Sequence, residues 1–252
     1  MTDLGLQGKR VIVTGAAGGL GRAFATSFGS AGATVLAADI DDAGLVETAR
    51  LVETAGGKAV SSVVDVTSAA SCRALADRAQ TQMGGADVLV NNAAIYGGLE
   101  RRPFQDIEED VWDKVMAVNA KGVWQMTRAI APLMRGSGGA IINIASATVF
   151  SGSPEWMHYV ASKGAVIAMS RVMAKELGGD QIRVNVIAPG FTLTDASLGL
   201  MDDAKNYGAN RAALKRNAEA EDICGAALYL ASPLSGFVTG QTLVVDGGKQ
   251  FI

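Results

Sequence analysis

Tyr159 and Lys163 stand four residues apart in a stretch of helical periodicity, so their side chains leave one face about a turn apart. A phenol of ordinary pKa near 10 is protonated at neutral pH. A neighbouring ammonium stabilises phenolate and lowers that value, each unit requiring about 1.4 kcal/mol of preferential stabilisation. The pair therefore suits proton exchange with an alcohol whose carbon gives up hydride, with Tyr159 as base in oxidation and acid in reduction. Ser146, thirteen residues upstream at the end of an apolar run, has the hydroxyl to hold a substrate oxygen and stabilise developing alkoxide. Asn119 lies twenty-seven residues before Ser146, inside a long helical stretch where Asn has low propensity. Each of the four is unremarkable alone; their conjunction is not. His158, the only histidine, is rotated about 100° from Tyr159 on a helix, which predicts a rim or packing role.

The elements that must position these groups follow from periodicity. Nearly continuous apolar runs at Arg10–Thr14, Thr34–Ala38, Ala59–Val64, Val88–Asn91, Ala140–Ala145, Arg183–Ala188 and Thr242–Val245 read as strands covered by helices on both faces. Helical stretches lie between them at Leu20–Ala31, Ala43–Ala55, Ala69–Met83, Asp110–Arg135, Met157–Leu177 and Ala220–Ala231. This alternation predicts an α/β fold, a Rossmann-type doubly wound domain spanning residues 1–252 with a seven-stranded parallel sheet. The polar connection from about 191 to 219 is long for a βα unit and reads as a substrate lid.

Composition narrows the partner. Hydrophobic residues make up 49% of the chain, charged residues 19%, and the net charge is −3, so nothing suggests a phosphate-backbone surface. No nucleic acid is expected, and no apolar run is long enough for a membrane helix. With no secretory leader in view, the chain is expected in the cytoplasm, acting on a small molecule. Cys72 and Cys224 are far apart and read as ordinary core or helix residues, with no metal site.

The first strand runs into Thr14-Gly15-Ala16-Ala17-Gly18-Gly19-Leu20-Gly21 and then a helix, the context a phosphate-binding glycine loop needs. Gly15 permits a tight turn, Gly19 a close backbone approach to pyrophosphate, and Gly21 close helix packing. Asp39 ends the second strand eighteen residues beyond Gly21, where a carboxylate accepts hydrogen bonds from both adenosine ribose hydroxyls and repels a 2′-phosphate. Ala17, Gly18, Ile40, Asp41 and Asp42 offer no compensating cation, and Arg22 is a poor candidate for one. NAD is thus the expected cofactor.

The Gly-x-x-x-Gly-x-Gly spacing, with Tyr159-x-x-x-Lys163, Ser146 and Asn119, resembles the short-chain dehydrogenase/reductase family, and the likeness extends over nearly the whole chain. Asp65-Val66 resembles its adenine-contact pair and Asn91-Asn92-Ala93-Ala94 its Asn-Asn-Ala-Gly motif, with Ala94 in the last position. Pro189-Gly190-Phe191-Thr192-Leu193-Thr194 resembles its Pro-Gly motif, which implies that the Thr192 backbone and the Thr194 hydroxyl bind the nicotinamide carboxamide. The resemblance further implies that Lys163 holds the nicotinamide ribose, that Asn119 fixes a relay water, and that the protein is a homotetramer. The implied activity is NAD-dependent alcohol dehydrogenase or carbonyl reductase. Ile95, Tyr96, Thr148, Phe150, Trp156 and Phe191, beside Ser146 and Tyr159, are the expected pocket walls and favour an apolar or aromatic secondary alcohol or ketone. Glu155, Lys205, Arg211, Lys215 and Arg216 leave open a polar or anionic substrate such as a sugar or a 3-ketoacyl thioester. A dinucleotide-binding regulator would have no chemical reason to keep Ser146, Tyr159 and Lys163 together. An epimerase or dehydratase would need more carboxy-terminal structure than this length provides.

Overall fold

The computed structural model describes residues 4–200 and 203–252. Its strands are β1 (Arg10–Thr14), β2 (Thr34–Asp39), β3 (Lys58–Val63), β4 (Val88–Asn91), β5 (Gly139–Ile144), β6 (Ile182–Pro189) and β7 (Thr242–Val245). They form one seven-stranded sheet in the order β3-β2-β1-β4-β5-β6-β7, with every neighbouring pair parallel. The main helices are α1 (Gly19–Ser30), α2 (Asp42–Thr54), α3 (Ala69–Met83), α4 (Glu109–Met116), α5 (Gly122–Ile130), α6 (Thr148–Ser151), α7 (Met157–Leu177), α8 (Asp195–Leu198), α9 (Ala204–Arg211) and α10 (Ala220–Ala231). This is the doubly wound, Rossmann-like arrangement that the alternating pattern predicts.

Strand residues alternate between two cores, as a period of two requires. Val11, Val13 and Val35 pack with Phe24, Phe28, Leu45, Ile223 and Leu230 from α1, α2 and α10. Ile12, Leu36, Leu89 and Ile141 pack with Leu75, Met126, Ile130 and Val166 from α3, α5 and α7. Strands buried on both faces cannot alternate apolar with polar, which is why they read as continuous apolar runs. The expectation of two-sided cover fails for β3 and β7. Both are sheet edges, where half-buried residues such as Ser61 and Ser62 are tolerated.

The predicted helix Asp110–Arg135 is also broken. Between α4 and α5 the backbone widens to a π-turn over Ala117–Lys121, and α5 tightens into a 3-10 turn at Ala131–Met134. A π-turn inserts a residue and re-aims its side chains, and here it carries Asn119. The connection from 191 onward is not structureless either, since it holds α8 and α9. Cys72 and Cys224 are buried and unpaired with each other.

Candidate active site

Because β2 and β4 flank β1, the chain leaving β1 and the chain leaving β4 turn to opposite faces and open a cleft above their carboxyl ends. Thr14 and Asn92 hold its two lips together. The Thr14 hydroxyl oxygen accepts the backbone N–H groups of Asn92 at 3.0 Å and Ala93 at 3.1 Å. The Asn92 amide in turn donates to the carbonyls of Thr14 and Gly15, each at 3.1 Å.

The glycines of this lip are sterically required. Gly15 has φ +65°, and a Cβ there would lie 2.7 Å from the Ala93 Cα. A Cβ on Gly21 would lie 1.9 Å from the Gly15 carbonyl oxygen. Gly18 has open space where a side chain would stand, and it begins α1 without a side-chain cap or an acidic residue in the first turn. The first N–H groups of α1 are therefore left to an external anion.

Along the cleft, Ser146 follows β5 and Tyr159 and Lys163 rise from the first two turns of α7. A cavity of about 420 Å³ joins them to Gly18, Gly19, Leu20, Asn92, Pro189, Gly190, Thr192 and Thr194. Ser146 Oγ accepts from the Thr148 hydroxyl at 2.9 Å. The Lys163 ammonium donates to the Ile144 carbonyl at 2.9 Å and lies 5.8 Å from the centre of the Tyr159 ring. Tyr159, Trp156 and Tyr96 form an aromatic cluster with ring centres 5.0 to 5.6 Å apart.

Burial dominates the electrostatics of Tyr159 and Lys163 within the protein. Burial pushes the Tyr159 phenol well above its ordinary value; the nearby Tyr96 adds to this and the Ser146 hydroxyl opposes it. Burial pushes the Lys163 ammonium down to about 8. Both charged forms lose hydration in this pocket.

The amide oxygen of Asn119 accepts the Ile95 N–H at 2.7 Å, and its NH2 donates to the Ile95 carbonyl at 3.1 Å and to Ser162 Oγ at 3.2 Å. With those three bonds the side chain ties the chain leaving β4 to α7, which fixes the position of the residue. His158 is buried, its basicity lowered by burial, with Nδ1 unpartnered, so it packs and does not reach the rim.

The other expected contacts divide. Tyr96, Thr148, Trp156 and Phe191 line the cavity. Phe150 does not, because it packs sideways against the core beneath α7. Ile95 takes part only through its backbone bonds to Asn119. Thr194 Oγ1 caps α8 by accepting the Ser197 N–H at 3.3 Å, which leaves its own hydrogen to donate, and Thr192 is buried nearby.

On the far side, Asp39 Oδ2 accepts the Ala17 N–H at 2.9 Å and Oδ1 the Asp41 N–H at 3.1 Å. Ile40 is exposed beside it. Asp65 Oδ1 accepts from the backbone and hydroxyl of Thr67 at 2.8 and 2.7 Å, and the Val66 carbonyl accepts from Gln125 at 2.9 Å. Arg22 is committed within the protein, in keeping with its being a poor candidate for a compensating cation. It bridges the glycine loop to α2 by donating to the Ala17 and Gly44 carbonyls and to Thr48 Oγ1.

A family model described as enoyl-(acyl carrier protein) reductase matches residues 15–250. The 3-oxoacyl-[acyl-carrier-protein] reductase FabG of Thermotoga maritima is 37% identical over 244 residues, which are 96% of this chain and 98% of that protein. The chain is a short-chain dehydrogenase/reductase. Among solved structures, a putative short-chain alcohol dehydrogenase from Sinorhizobium meliloti superposes with a TM-score of 0.92 at 34% identity, over 98% of each chain. A 7α-hydroxysteroid dehydrogenase complexed with NADH and 7-oxoglycochenodeoxycholic acid gives 0.91 at 35% identity, over 98% of this chain and 96% of that one. Members of this family are oxidoreductases that bind nicotinamide dinucleotides, and the bare α1 terminus and the space over Gly18 fit such a group.

Sequence reasoning missed several walls of this dehydrogenase/reductase cavity, among them Arg101, Ser153, Leu200, Tyr207 and Lys249. They lie on loops and on the short α9, where no periodicity marks an inward face. Of the charged candidates, Arg216 pairs with Asp222 at 2.7 Å, while Glu155 and Lys215 are exposed. Arg211 stacks on Tyr207 at 4.0 Å beside a smaller cavity. The side chain of Lys205 lies outside those described.

Proposed function

We propose that this chain is an NAD-dependent alcohol dehydrogenase or carbonyl reductase acting on a secondary alcohol or ketone with an apolar or aromatic body. The observation that carries the reading is the convergence of Ser146, Tyr159 and Lys163 in one cavity that continues to the glycine loop. The aromatic cluster supports the substrate class, and the clamped carboxylate of Asp39 supports NAD. The relative that holds NADH with an oxo steroid acid is consistent with both.

The dinucleotide supplies a nicotinamide ring that accepts or donates hydride. Ser146 holds the substrate oxygen and stabilises alkoxide as it develops. In reduction Tyr159 gives its hydroxyl proton to that oxygen, and in oxidation it takes the proton back. Lys163 stabilises the resulting phenolate and holds the nicotinamide ribose. Asp65 and Val66 would border the adenine of a bound dinucleotide, Thr192 and Thr194 would hold its carboxamide, and the connection 191–219 would cover the substrate as a lid. Reading absorbance of the reduced cofactor across secondary alcohols, aryl ketones, sugars and 3-oxoacyl thioesters tests this proposal. Turnover confined to sugars or thioesters would overturn the substrate class.

The pKa directions set the pH dependence. Tyr159 stays protonated well beyond neutrality, so ketone reduction is expected to be level near neutral pH. It falls as pH rises through about 8, where the Lys163 ammonium is lost. Alcohol oxidation instead rises with pH, because Tyr159 must first release its proton. Lys163→Arg keeps its charge and should remove the reductive fall even where the absolute rate drops. A reductive profile that breaks at the same pH in both proteins would contradict the assignment.

We propose a homotetramer. Val111 on α4, Trp124 on α5 and Val172 on α7 are exposed apolar side chains on three helices. Phe237, Leu234 and Leu243 form a second exposed group around the edge strand β7. Two independent two-fold contacts of this kind generate a closed tetramer. Light scattering at micromolar concentration should give four times the chain mass, and a monomer would refute the proposal.

A further inference from the structure

Two cations that the proposed hydride transfer does not use line the same cavity beside different aromatic side chains. Arg101 stands on the Tyr96 and Trp156 side, its guanidinium 4.4 Å from the centre of the Trp156 ring. Its loop is pinned by the Arg102 N–H donating to the Glu155 carbonyl at 2.9 Å. Lys249 stands on the Tyr207 and Phe191 side, its ammonium 5.6 Å from the Tyr207 ring, which packs against Phe191 at 5.0 Å. Lys249 is fixed from both directions. Its own N–H donates to Asp246 Oδ1 at 3.1 Å, and the next residue, Gln250, donates its side-chain amide to the Ala147 carbonyl at 2.9 Å, beside Ser146.

Among the described residues no carboxylate lies within 4.0 Å of Arg101 or Lys249. Among them the carboxylate lining the cavity is Asp195, which begins α8 between Thr194, near Gly19, and Ala196, near Gly97. The aromatic part of the cavity thus carries two cations without an ion-pair partner among the described residues. The Arg101 guanidinium rests over the Trp156 ring, and one of its terminal nitrogens makes a single long donation to the Pro154 carbonyl at 3.3 Å. Its remaining N–H edge suits a planar two-oxygen anion better than a point charge would.

We propose that the physiological substrate is an oxo acid or hydroxy acid whose carboxylate is held by Arg101, with Lys249 as the second cation of the same cavity. The spacing follows from the same geometry. The Trp156 ring centre lies 4.4 Å from the Arg101 guanidinium and 5.0 Å from the Tyr159 ring centre, so a carboxylate on Arg101 and a carbonyl at Tyr159 belong to one compact molecule. The inference rests on the redox reading above and adds the anionic group.

The test uses pairs of oxo acids and their methyl esters with NADH: 4-acetylbenzoate, 3-acetylbenzoate and 4-oxo-4-phenylbutanoate. At least one acid should exceed its ester by about tenfold or more in kcat/KM. Most of the difference should be in KM, because the carboxylate is remote from the reacting atoms. Arg101→Met should reduce that preference about tenfold or more, Lys249→Met by less, and Arg101→Lys should keep part of it. Calorimetric titration of each acid into the enzyme with NAD present supplies a readout that needs no turnover. If every ester is reduced as efficiently as its acid, or if the preference survives both Met substitutions, the carboxylate site is wrong and the redox reading stands. If the acids bind, lose binding in Arg101→Met, and yet no ketone is reduced, the site stands and the redox reading falls.

Discussion

Tyr159→Phe is expected to cut kcat/KM by about 10³-fold or more in both directions, while dinucleotide affinity changes little. The phenyl ring keeps its contacts with Trp156 and Tyr96, so the aromatic cluster and the start of α7 stay packed. What disappears is the hydroxyl, the one group placed to exchange a proton with the substrate oxygen beside Ser146. Water offers no substitute of comparable effect, because Tyr159 is buried in the cavity wall. Lys163→Ala should damage both turnover and cofactor binding, since it removes the ammonium and leaves the buried Ile144 carbonyl without its donor. Steady-state rates, cofactor titration by fluorescence and thermal melting separate these effects. If the Phe variant keeps more than about a tenth of the activity, the loss is under about 1.4 kcal/mol and Tyr159 is not the principal acid or base.

The second large effect is cofactor choice. NAD is expected to exceed NADP in kcat/KM by at least about a hundredfold, or roughly 2.7 kcal/mol. Two backbone N–H groups, from Ala17 and Asp41, clamp the Asp39 carboxylate at the end of β2, so it cannot swing away from a 2′-phosphate. Among the described residues no cation pairs with Asp39. Arg22, the nearest candidate in sequence, is committed to the Ala17 and Gly44 carbonyls and to Thr48. Initial rates at limiting concentrations of each cofactor measure the preference, and equal efficiencies would show that Asp39 does not meet the ribose. The double variant Asp39→Ser with Ile40→Arg removes the repulsion and supplies a cation from an exposed position, so it should narrow or reverse the ratio. An unchanged ratio there would also count against the assignment.

What the sequence determined by itself was local. The i, i+4 spacing fixes Tyr159 and Lys163 on one face of α7 wherever that helix lies, because helical geometry is a short-range property. The glycine loop is legible for the same reason: a strand, a turn with positive φ at Gly15 and a helix start are contiguous in the chain. The strands are legible as apolar runs, although an edge such as β3 cannot be told from a central strand by its own residues. Sheet order is a matter of pairing between distant segments, and register alone decided that Thr14 meets Asn92 and that Ser146 ends beside α7. The π-turn that aims Asn119 at Ile95 was invisible because its residues keep ordinary helical periodicity. Phe150 looked like a pocket wall until packing turned it toward the core. Arg101 and Lys249, nearly 150 residues apart on irregular loops, carry no shared pattern that would mark them as facing one cavity. The ionisation of the site was likewise a tertiary outcome. Spacing gave a lysine next to a tyrosine, which alone argues for a lowered phenol pKa, but the desolvation that pushes the phenol up and the ammonium down depends on everything packed around both groups.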